Sequence, residues 1–163
     1  MLSTLMERAD FVDEVAVEGG GGLRAFAAGA LGWEPWWVRG LFRARSVFAR
    51  LLRTAHPDVR PGSGGMRPEE IPFTPGRRIG FFTVVGGEEG RELVLEASDS
   101  HLAAFLAIVA DDAGGGRTRF RMITVARCHG WTGRIYLTVI RPVHYVVIRG
   151  MARAGLAASA TTP

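Results

Sequence analysis

Apolar and polar positions change period several times along the chain, and the changes mark out its elements. Phe11 to Val17 is a short β-rich run closed by Gly19 to Gly22, which predicts a first strand. Leu23 to Leu31 is Ala-rich with helical spacing and ends at Gly32. Glu34 to Arg53 predicts a second, longer helix with Pro35 in its first turn. Thr54 to Gly76 carries five prolines and reads as a long irregular, flexible loop. Four strand-like runs follow: Ile79 to Val85, Glu92 to Ser98, His101 to Ala110 and Thr118 to Cys128. Their separators are Gly86 to Gly90, Asp99-Ser100 and Gly114 to Gly116, too short for parallel crossovers, so the strands must form an antiparallel meander.

Gly133 to Leu156 is rich in Val and Ile, yet its period is helical. Tyr136, Val139, Ile140, Val143, Val147, Met151 and Ala154 fall on one arc. This predicts a long amphipathic helix kinked near Pro142, with a frayed tail over residues 157–163. A curved sheet wrapped around that helix is the economical way to bury its apolar arc. The expected class is therefore α+β: a single helix-grip domain over residues 1–163, with an antiparallel sheet of about five or six strands and two helices after the first strand.

Composition narrows the chemistry. The chain has 163 residues, 47% hydrophobic and 22% charged, a globular balance for one domain. All 20 basic residues are Arg, which excludes any P-loop, Schiff-base or pyridoxal-phosphate lysine. A single Cys excludes a disulfide framework. The net charge of +4 invites a nucleic-acid reading. The arginines, however, are spread among 16 acids, and Arg117, Arg119 and Arg121 sit at strand spacing on one solvated face. No nucleic-acid partner is expected. The N-terminus lacks an apolar signal core, and Leu102 to Ala110 is less than half of a membrane span, so a soluble, cytoplasmic protein is expected.

Several motifs fail on context. Gly20-Gly21-Gly22-Leu23-Arg24-Ala25 fits the loose dinucleotide fingerprint, but a helix follows where a parallel strand is needed. Cys128 and His129 point to opposite faces of a strand and cannot share a metal. Gly62-Ser63-Gly64 lacks the nucleophile-elbow pattern. Neither cofactor nor metal is expected.

Three polar residues carry more information. Arg45 lies on an arc with Val38, Leu41, Phe42, Phe48 and Leu52, where a guanidinium is costly unless paired. It is either an anion or carbonyl anchor in a cavity or half of an ion pair with Glu92, Glu96 or Asp99. His144 borders the apolar arc of the last helix with Tyr136. It is either an acid–base or ligand-binding group or a core histidine bonded to a backbone carbonyl. Trp33, Trp36 and Trp37 cluster at the entry to the second helix, as helix packing or as the rim of a pocket mouth.

Pro35-Trp36-Trp37 with Gly40-Leu41 and Arg45, Ile79-Gly80-Phe81-Phe82, and Gly133-Arg134-Ile135-Tyr136 running to Ile140-Arg141-Pro142-Val143-His144 resemble an uncharacterised bacterial domain-of-unknown-function family. Its members occur alone or fused behind NAD(P)-binding, epimerase-like domains. The resemblance implies a START-like, birch-pollen-allergen-like fold (the SRPBCC group) with an internal cavity, and it implies no reaction. On this reading the domain binds a small apolar or amphipathic ligand between sheet and last helix. Arg45, Tyr136 and His144 would be the polar contacts, and Trp37, Phe42, Phe120 and Met122 the apolar ones. The rival reading is a cyclase-, dehydratase- or hydrolase-like cavity enzyme using His144 and Tyr136 for proton transfer. A third is an accessory domain for an NAD(P)-binding partner protein. Oligomeric state is open.

Overall fold

The computed structural model describes residues 6–7, 9–40, 65–98 and 102–161. Strand β1 (Phe11–Gly19) leads into helix α1 (Leu23–Leu31), and residues 36–40 are helical again. Strands β2 (Arg78–Ile79), β3 (Phe82–Glu88), β4 (Glu92–Ser98), β5 (Leu102–Gly114) and β6 (Arg117–Cys128) precede helix α2 (Gly130–Thr161). The six strands form one antiparallel sheet in the order β1-β6-β5-β4-β3-β2. The meander is thus extended on its β6 side by the first strand. No helix among the described residues is long and apolar enough to cross a membrane.

One face of the sheet packs against α1 and α2. Side chains alternate along each strand, so Leu93, Leu95, Leu106, Ile108, Phe120 and Met122 share this inner face and join Phe26, Ile148 and Ala152 in the core. Phe26 stacks on Phe120 with ring centroids 4.2 Å apart. The two helices approach closely because glycines face each other's helix. A Cβ at Gly155 would come within 2.8 Å of the Phe26 carbonyl, and one at Gly29 within 2.7 Å of the Ala154 carbonyl.

The opposite face carries the arginine row, as its spacing predicts. Arg119 pairs with Glu18, and Arg121 lies 3.1 Å from Asp111 and 3.9 Å from Glu14. Surface pairs of this kind contribute about 0–1 kcal/mol each, and the same face also carries a second, buried apolar cluster of Val94, Ala107, Ile123 and Val125.

The structure differs from the sequence expectation in five places. The run Ile79 to Val85 is broken by a two-residue hairpin turn at Gly80-Phe81, where Gly80 has φ +57° and Ile79 pairs with Phe82. Gly86 and Gly87 belong to β3 rather than to a separator; a Cβ at Gly87 would come within 2.9 Å of the Phe73 carbonyl. The end of the proline-rich segment is anchored: Ile71 is buried in the core, and Arg24 donates to its carbonyl at 2.7 Å.

The other two differences concern the last helix. It runs from Gly130 to Thr161, so most of the expected tail is helical, held by buried Ser159. Its buried arc is also turned relative to the expected one. Ile148, Ala152, Gly155 and Ser159 face inward, while Val139 is 71% exposed. Hydrophobicity pointed to the β-branched residues, but close approach to α1 demands small ones.

Candidate functional site

The inner face changes character along the strands, and register shows where. Leu93, Ile108, Met122 and Val15 are cross-strand neighbours in one row, a filled part of the core. The next row is Leu95, Leu106, Thr124 and Asp13. Beyond it lie Ala97, Ala104, Ala126 and Phe11. Large apolar side chains thus give way first to a hydroxyl and a carboxylate, then to three alanines. Ala97 and Ala104 are partly exposed although both point to the core side of the sheet. The inner face therefore ends in a shallow floor walled by polar groups.

Helix α2 passes over this end of the sheet and contributes His144. Its Nε2 lies 3.3 Å from Asp13 Oδ2, and its ring meets Phe11 edge-on at 5.6 Å between centroids. Tyr145 also meets Phe11 edge-on, and the Arg141 guanidinium lies 4.7 Å from the Phe11 ring centroid. The Asp13–His144 approach is close but off the line of a hydrogen bond. Asp13 Oδ2, His144 Nε2 and Thr124 Oγ1 are sealed from solvent with no hydrogen-bond partner among the described residues. Burial pushes the His144 pKa below its usual value, and the Asp13 charge opposes that shift. His144 is accordingly neutral at pH 7.

Such a cluster can hold a polar group, or it can orient an imidazole for proton transfer. With Asp13 facing Nε2, a neutral imidazole carries its proton there, and Nδ1 becomes the acceptor.

A second feature lies on the outer side of α2. Trp37, Pro142, Val143 and Val146 line an open apolar cleft of about 440 Å³. Trp131, Ile135, Val139 and Val146 are exposed along the same side of the helix. Trp37 meets Trp33 edge-on, and Trp33 covers Gly150. The helix itself separates this cleft from the Asp13–His144 pair, since Val146 and His144 are 200° apart around the axis at about 100° per residue.

Of the candidates read from sequence, His144 faces the sheet and Trp37 lines the outer cleft. Phe120 and Met122 are fully buried in the filled part of the core. Tyr136 is half-buried on α2, eight residues from His144, hence about 12 Å along the axis. Arg45 and Phe42 lie outside the described residues.

Sequence reading missed Asp13 and Thr124. A signal for Asp13 was present: Phe11, Asp13, Val15 and Val17 share one strand phase, so an acid stands on an apolar face. Cys128 is a poor nucleophile, its pKa raised by burial and by Asp10, and no metal-binding cluster occurs among the described residues.

A comparison with functionally curated proteins gives no match. Among solved structures, the chain is similar to hypothetical protein jhp0584 from Helicobacter pylori, at 10% identity and a TM-score of 0.47. That match covers 93% of this chain and 89% of the other. Residues 5–151 match the model of a family described as a protein of unknown function, DUF2867, and the chain belongs to that family.

Proposed function

We propose that this domain binds a small apolar or amphipathic molecule between the sheet and the last helix. The observation that carries this reading is the alanine row, with Ala97 and Ala104 partly exposed beside buried Ala126, on a face otherwise filled by Leu, Ile, Met and Phe. Small side chains at one end of an inner sheet face leave room for a guest. An apolar floor with a few convergent polar groups is the usual form of a small-molecule site. The strand order, with helices after β1 and a long terminal helix, supports a helix-grip arrangement of the START-like kind.

Binding is better supported than proton transfer by a His144–Tyr136 pair, because those two side chains sit two helical turns apart. Native mass spectrometry of protein purified from its own host tests the reading. The wild-type chain should carry an adduct of small-molecule mass that is absent from Ala104→Trp. An adduct retained unchanged by Ala104→Trp would refute a site on the alanine floor.

A further inference from the structure

We infer that the outward side of α2 docks on the surface of an anionic lipid bilayer. This side faces away from His144, and the inference does not rest on the alanine floor. At about 100° per residue, Trp131, Ile135, Val139, Pro142 and Val146 fall within an arc of about 80° and form a seam about 23 Å long. All five are exposed, Trp131 and Val139 at 73% and 71%. Arg149 and Arg153 continue the same arc, with Arg134 and Arg141 on one flank. Residues 36–40 lie on the other flank, where Trp36 is 79% exposed and Arg39 is exposed as well. A contiguous apolar face of this kind marks an interaction surface.

Charge decides what covers it. Gly130 to Thr161 holds four arginines and no Asp or Glu. Among the described residues, the one acid paired with any of the four is Asp10, 3.9 Å from Arg134. A second copy would bring two such sets of arginines together. Residues 41–64 add five arginines against one Asp, so they do not answer the charge either. An anionic partner does. An acidic helix packed along the seam would need apolar side chains at positions 149 and 153, and both are Arg. A bilayer accepts both halves as they stand: Trp131 and its apolar neighbours enter the interfacial layer while the arginines meet lipid phosphates. The contact is peripheral, because the other side of α2 is packed in the core through Ile148 and Ala152.

The test is flotation of the full chain with vesicles of phosphatidylcholine alone or mixed equally with phosphatidylglycerol, at low and high salt. At low salt the anionic vesicles should bind the wild-type chain at least about tenfold more strongly than the neutral ones, and high salt should weaken that binding. Trp131→Ser with Val139→Ser keeps every charge, lies at exposed positions and should abolish flotation with an unchanged thermal melt. Arg149→Gln with Arg153→Gln should weaken binding about tenfold. Arg77→Gln with Arg78→Gln removes the same charge at edge strand β2 and should not. Ala104→Phe should float as wild type does, which separates failure of this face from failure of the ligand site. No flotation with anionic vesicles, flotation unmoved by Trp131→Ser with Val139→Ser, or equal losses from the two arginine pairs would overturn the inference. Without flotation, a dimer dissolved by Trp131→Ser with Val139→Ser gives the face to a second copy. An acidic amphipathic peptide bound in place of vesicles gives it to a protein helix, and either result overturns the lipid assignment.

Discussion

Asp13 Oδ2 lies 3.3 Å from His144 Nε2, so a carboxylate–imidazole pair joins the first strand to the last helix at the open end of the inner sheet face. Burial holds His144 below the usual 6.5, which fixes the sign of its contribution to stability. The unfolded chain takes up the proton first as pH falls. Stability is therefore fully present above about pH 6.5 and declines as pH drops towards the folded-state pKa. Urea unfolding of wild type between pH 8 and 5.5 should show this decline, and His144→Gln should flatten it. Equal slopes for the two proteins would remove His144 as the cause.

Asp13 raises the His144 pKa against the effect of burial, so Asp13→Asn should lower it further. NMR titration of the imidazole checks the direction.

The contact between α1 and α2 makes a third expectation. Gly155→Ala should destabilise by about 1–3 kcal/mol, since its Cβ meets the Phe26 carbonyl and ring. Gly20→Ala, with nothing within 4 Å of the added carbon, should stay within about 0.5 kcal/mol of wild type. Similar losses at both positions would show that helix packing is not what Gly155 provides.

These glycines also show where sequence reading stops. Strand β4 and helix α1 were legible to the residue, because a short apolar run bounded by turn residues in Glu92 to Ser98 and Ala-rich helical spacing before Gly32 are local signals. The antiparallel meander followed from short separators. The orientation of α2 was not legible, because the contact that sets it joins Gly155 to Phe26, far apart in sequence. The same holds for the site. His144 stood out beside an apolar arc, but the alanine row exists only once β4, β5 and β6 are in register.

The filled and open ends of the inner face should respond oppositely to changes in volume. Phe120→Ala should cost about 3–5 kcal/mol, because Phe120 is fully buried and stacked on Phe26. Small-to-large replacement at Ala97 or Ala104, both partly exposed, should cost little, whereas overpacking a filled core costs about 1–3 kcal/mol.

Ala104→Phe tests the central claim most directly, with urea unfolding and N-phenyl-1-naphthylamine binding measured on the same protein. The account predicts a midpoint close to that of wild type together with probe affinity weaker by at least about tenfold, which is 1.4 kcal/mol of binding. A variant destabilised as an overpacked core would be, or one that binds the probe as wild type does, would contradict a ligand site between sheet and helix.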